Sequence, residues 1–106
     1  MRYAIIVLAL LGVLASPRPA SAQTGNELLK ICPANDKSSC RMYINGWIDG
    51  IIVPKSLTKL ICIPDGVTNG QMTDVFVKYL RAHPEKRHKI ASILAWEATQ
   101  KAFPCR

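Results

Sequence analysis

The chain has 106 residues, four cysteines and a formal net charge of +7. That length holds one domain at most. Its basic residues are spread along the chain, with no clustered stripe interleaved with aromatics, so the charge reads as a solvated basic surface or a face for an anionic partner, and no nucleic-acid partner is expected.

Residues 1–22 read as a signal peptide. Arg2 supplies a thin positive start. Tyr3 to Ala15 is apolar or small throughout, too short for the roughly 20 residues of a bilayer span. Ala20-Ser21-Ala22 is a small-x-small cleavage pattern. Cleavage after Ala22 would leave residues 23–106 as one domain with no membrane anchor. No cysteine lies near that site to take a lipid. Loss of Arg2 and Arg18 lowers the net charge from +7 to +5, and all four cysteines remain. An even cysteine count in a small exported chain predicts two disulfides in an oxidising compartment, the periplasm. Three pairings are possible on count alone.

The mature chain opens with a short helix from about Gln23 to Ile31, with Asn26 as its cap and Leu28, Leu29 and Ile31 following. A turn-rich loop runs from Pro33 to Ser39, and Ser38 or Ser39 caps the next helix, expected from Cys40 to about Val53. Ile44, Trp47, Ile48, Ile51 and Ile52 recur there with the period of a buried stripe. Gly46 and Gly50 lie beside the stripe. Each costs about 1 kcal/mol relative to alanine inside a helix, so the pair predicts close intradomain packing. Asp49 reads as a surface or cap-bonded carboxylate.

Pro54 ends this helix. Lys55 to Ile61 reads as an irregular loop or one further helical turn, and Cys62-Ile63-Pro64-Asp65-Gly66 as a turn. Thr68-x-x-Gln71 is a capping box. The helix after it carries Met72, Val75, Phe76, Tyr79 and Leu80 on one face and Gln71, Asp74, Lys78 and Arg81 opposite. His83-Pro84-Glu85 breaks it. Pro84 suits the first turn of a new helix and Glu85 its positive end. From Lys86 to Ala102 the inward stripe is Arg87, Ile90, Ala91, Leu94, Ala98, Lys101 and Ala102. Trp96 falls off that stripe, either as a satellite packing residue or as a partner contact.

Two helices joined by so short a break form an antiparallel hairpin, so the end of the second returns to the start of the first. That pairs Cys62 with Cys105. A similar argument pairs Cys32, ending the first helix, with Cys40, starting the second. The expected fold is all-α: a small bundle of four to five short helices stapled by two disulfides, Cys32–Cys40 and Cys62–Cys105.

No catalytic constellation is expected. His83 and His88 are five apart, which is not the i, i+4 spacing of a zinc helix. Pairing uses all the thiols that a Cys–His nucleophile would need. The cysteine spacings lack the short C-x-x-C knuckles of structural zinc. The seven acids are scattered, and no glycine-rich phosphate loop is present. No enzyme activity, cofactor or metal is predicted.

An ordered series of motifs remains: Gly25-Asn26-x-Leu28-Leu29-x-x-Cys32; Cys40-x-x-Tyr43-Ile44-x-Gly46-x-x-Asp49-Gly50; Cys62-x-Pro64-x-Gly66-Val67-Thr68-x-Gly70-Gln71; Tyr79-Leu80-x-x-His83-Pro84-Glu85-x-Arg87; and Ala102-Phe103-Pro104-Cys105. Together they resemble the Rap/Tai family, periplasmic immunity proteins of type VI secretion. The resemblance implies a small disulfide-bonded helical protein, often a homodimer, that sterically blocks a secreted peptidoglycan amidase effector of Cys–His type and so prevents self-intoxication. It implies a plug at a loop between helices. The turn from Ala82 to Arg87 is the candidate, with His83, Pro84, Glu85 and Arg87 as partner-binding residues and Trp96 as a second anchor.

A rival from another class is an HdeA-like periplasmic acid-stress chaperone. Such a protein needs acid-sensitive carboxylates whose protonation releases native contacts. Seven acids, an excess of bases and two staples weigh against it.

Overall fold

The computed structural model describes residues 2–4, 6–7, 21–33, 36–52 and 54–106. Most of the expected leader, residues 8–20, and the expected helix end at Val53 lie outside them. From residue 21 on, the described residues form α1 (Gly25–Lys30), α2 (Ser38–Ile52), α3 (Lys55–Thr58), α4 (Asn69–Ala82) and α5 (Ala91–Ala102), with a 3₁₀ turn at Pro84–Lys86. Among them, β structure is limited to an isolated antiparallel bridge between Thr24 and Ile90. The fold is helical, and both disulfides are those that chain order implied: Cys32–Cys40 and Cys62–Cys105.

The α4–α5 hairpin is the centre of the domain. These two helices pack most extensively on each other; α2 lies against α4, and α1 touches both. Phe76, Val77, Leu80, Leu94, Ala95 and Ala98 fill the interior together with Leu28 from α1 and Ile44 from α2. Small residues on α5 let it approach α4 closely. Where the hairpin closes, the Cys62 amide donates to the Phe103 carbonyl at 3.3 Å beside the Cys62–Cys105 link.

The starts of α1, α2 and α4 have local causes. Thr68 and Gln71 form the expected capping box on α4. On α1 the cap is Thr24 and not Asn26: Thr24 and Glu27 form a second box, the Thr24 amide donating to Glu27 Oε2 at 2.8 Å. This Thr-x-x-Glu signal stands in the sequence two residues before the cap that was expected. Helix α2 begins at Ser38, earlier than expected. The Asp36 carboxylate, not a serine hydroxyl, takes the Ser38 N–H at 2.9 Å, and that bond holds the Asp36 carboxyl below its usual range. The segment after Pro54 resolves as the short helical turn α3.

Several packing expectations change. Gly46 and Gly50 are exposed, and a β-carbon on either would meet nothing within 4 Å. At about 100° per residue both fall roughly opposite Ile44, so they lie outside the buried stripe. The glycine that does mark a close approach is Gly25, where an added β-carbon would come within 2.5 Å of Leu94 Cδ1 and 3.1 Å of the Arg87 carbonyl oxygen. On α4 the buried face is wider than the stripe, taking in Thr73 and Val77 because α2 covers one flank and α5 the other. The hydroxyls of buried Thr73 and Thr99 donate to carbonyls one turn back, Asn69 and Ala95.

The last helix starts at Ala91, five residues later than expected. Residues 87–91 are instead laced to the N-terminal segment. Gly25 donates to the Lys89 carbonyl at 3.0 Å, Asn26 to that of Arg87 at 2.9 Å, and Ala91 to that of Gln23 at 2.7 Å. The carbonyls at 87 and 89 satisfy the otherwise orphan amides that open α1. Helix continuity at 86–90 is given up for these bonds.

Candidate functional site

The α4–α5 connection is bound by both backbone and side-chain hydrogen bonds. Helix α4 ends when His83 leaves helical geometry (φ −125°, ψ 63°), its amide still donating to the Tyr79 carbonyl at 3.1 Å. Pro84 supplies a fixed φ for the 3₁₀ turn and no amide to satisfy. Lys86 N–H then donates to the His83 carbonyl at 3.0 Å.

Side chains bind the turn to both helices. Tyr79 donates its hydroxyl to Glu97 Oε2 at 2.6 Å. Lys86 Nζ donates to that same carboxylate oxygen and to the Tyr79 oxygen, each at 3.1 Å. Lys89 Nζ stands 3.6 Å from Glu97 Oε1. One half-buried carboxylate on α5 thus gathers a phenol from α4 and two ammonium groups from the connection. The Tyr79 hydrogen bond, then the one from Lys86, holds the Glu97 carboxyl below the ordinary glutamate range. Hydrogen bonds to Tyr79 and then Glu97 raise the Lys86 ammonium. Burial, followed by the bond to Glu97, raises the Tyr79 phenol. The His83 ring lies 4.4 Å from the Tyr79 ring, centroid to centroid, and its Nδ1 is 3.1 Å from Glu85 Oε1.

The five residues singled out from the sequence divide. His83 and Glu85 touch each other, and Pro84 and Glu85 are exposed at the tip. Arg87 points back into the fold: its Nε donates to the Leu80 carbonyl at 2.7 Å and a guanidinium NH2 to the Arg81 carbonyl at 3.3 Å. It thereby satisfies two of the carbonyls that the end of α4 leaves without helical partners. Trp96 is half-buried on α5 and takes part in none of these hydrogen bonds. Thr99, one turn further on, is buried. The residues missed from the sequence are Tyr79 as a polar group, Lys86, Lys89 and Glu97. Their meeting depends on the hairpin closing.

One shallow feature lies beside the turn and another lies away from it. A crevice of about 240 Å³ runs between α4 and α5, floored by Val75, Ala82, Ala98 and Ala102. At the other end of the domain, α2, α3, the Cys62–Val67 loop and the start of α4 line an open apolar groove of about 570 Å³. Among the described residues, no group of three or more His, Cys, Asp and Glu is placed to hold a metal ion. All four thiols are in disulfides. Among the same residues, no helix is long and apolar enough to cross a membrane. The arrangement is a rigid turn presented on a stapled hairpin, a form suited to binding a protein.

Comparison with known families agrees with the motif series. The family model described as Rap1a immunity proteins matches residues 24–105, so the match begins at the Thr24 cap and ends at the Cys105 staple. No curated protein and no solved structure matches the chain.

Proposed function

This chain belongs to the Rap1a immunity protein family, and on that premise we propose that it acts in the periplasm as the antidote to a type VI secreted peptidoglycan amidase. Immunity proteins of this kind act against a secreted effector. The single observation that carries it is the family match, which spans the whole domain from the first helix cap to the last cysteine.

Two features support export. Both cysteine pairs are joined, which fits an oxidising compartment. Gln23 is the earliest described residue bonded into the domain, through its carbonyl to Ala91 N–H, which fits cleavage after Ala22.

Inhibition is steric. The tip formed by His83, Pro84 and Glu85 enters the cleft of the Cys–His amidase and keeps peptide cross-links out. A plug works best when it is already ordered, because no loop entropy is then lost on binding. Here the proline, the Glu97 cluster and the α1 amides do that ordering. Arg87 serves the plug from behind by fixing the end of α4, and Trp96 is the second anchor at the rim. A homodimer would present two such tips.

Capture is the test. Oxidised mature protein is used as bait against secreted and periplasmic fractions, before and after acid treatment. Recovery of one peptidoglycan amidase, inhibited on binding, is expected. Recovery of many unrelated clients only after acid would overturn the reading in favour of a chaperone.

A further inference from the structure

The crevice between α4 and α5 begins at His83, where the tip ends, and runs away from it along the hairpin. Its floor is small and apolar, and Lys78 and Lys101 stand on its rim. From Asn69 to Ala102 there are three acids and six lysines or arginines. All three acids are engaged. Asp74 holds Lys37 at 2.8 Å, Glu85 holds His83, and Glu97 holds Lys86 and Lys89. Lys78, Arg81 and Lys101 are exposed and have no acidic partner among the described residues. Lys78 and Lys101 therefore flank an apolar floor without an acidic partner among the described residues.

We infer that this crevice is a docking groove for an acidic segment of the partner protein, one whose small apolar side chains lie on Ala82, Ala98 and Ala102 while its carboxylates meet Lys78 and Lys101. The inference rests on the proposed immunity role and names the chemistry that the effector brings beside its cleft. Exposed cations contribute chiefly to association rate and to selection of the right partner. The apolar floor adds contact area that any acidic chain lacking small side chains would not use. Flanking the plug with such a groove fixes the approach angle, so the tip enters its target in one orientation.

The test needs no effector. Oxidised, isotope-labelled protein is titrated with a capped peptide alternating glutamate with alanine and leucine, and with the same peptide carrying glutamine for glutamate. Expected are amide shift changes confined to the crevice residues on α4 and α5, for the glutamate peptide alone. They should shrink several-fold between 50 and 500 mM salt as the charges are screened. The double variant Lys78→Glu with Lys101→Glu should lose at least tenfold in affinity. Lys30→Glu with Lys59→Glu, which changes net charge equally elsewhere, should lose far less. Equal response to both peptides, shifts centred outside the crevice, no response, or equal losses in the two double variants would each overturn the inference. None of these touches the immunity reading, which stands or falls on capture and inhibition of an amidase.

Discussion

Replacing Gly46 by alanine should make this protein more stable, although the sequence pattern argued for a close contact there. Gly46 is the ninth of the fifteen residues of α2, away from both ends, and the space where a β-carbon would stand is open to 4 Å. The helix interior then gains the propensity difference, about 1 kcal/mol, largely by narrowing the unfolded ensemble. Gly50 lies in the last turn, so its replacement should gain less, about half as much by the same reasoning. Gly25→Ala is the matched opposite. Its β-carbon would press on Leu94 Cδ1 and on a backbone carbonyl that is itself bonded to the Asn26 amide. Overpacking of that kind costs about 1–3 kcal/mol. For a domain of this size each kcal/mol moves Tm by about 4–8 °C. The assay is thermal and urea unfolding of oxidised protein followed by far-ultraviolet circular dichroism. A loss of stability in Gly46→Ala would refute the reasoning and show that the outer face of α2 is covered. A melting point that rises with protein concentration would then name a second copy as the cover.

Other outcomes follow from the same structure. Breaking the Cys62–Cys105 link by paired alanines should cost up to about 4 kcal/mol, against about 2.6 for Cys32–Cys40, since the closed loop is longer; paired urea titrations of the two variants check the order. Glu97 is held below its ordinary range in the folded state, chiefly by Tyr79 and then Lys86. Its stabilisation is therefore full above the ordinary glutamate range and is lost as the pH falls through its lowered value. Glu97→Gln should flatten the acid limb of a stability-against-pH curve, and an unchanged limb would contradict the role given to this cluster. Arg87→Ala should cost about 1–3 kcal/mol by leaving the Leu80 and Arg81 carbonyls unpaired. Arg87→Lys should recover little of that loss, because an ammonium lacks the planar fork; both are measured by urea unfolding.

Local signals carried far in this chain, and long-range ones did not. The Thr68–Gln71 box, the break at His83-Pro84 and the amphipathic run from Met72 to Leu80 were legible because each needs only a few neighbouring residues. The disulfide pairing followed from the order of helices once the hairpin was seen. Pro84 and Glu85 are good helix starters, so the sequence predicts a longer α5 than the fold has; nothing nearby announces that Gly25 and Asn26 claim the carbonyls at 89 and 87. Glu97 has Lys101 one helical turn ahead, the usual surface partner. It turns instead to Tyr79, Lys86 and Lys89, which approach only in the folded hairpin. Arg87 stands in the sequence both on the inward stripe and among the partner-binding candidates, and its bonds run inward to the end of α4. The tip of His83, Pro84 and Glu85 was in reach of sequence reasoning; the scaffold that stiffens it was not.

The most direct measurement of the central claim is a titration of peptidoglycan cross-link hydrolysis by the captured amidase with oxidised mature protein. The account predicts complete inhibition at one tip per amidase, and at least tenfold weaker inhibition by a His83→Ala, Glu85→Ala double variant that melts like the parent. An amidase that binds the protein yet keeps cutting, or one blocked equally well by that variant, would contradict the plug.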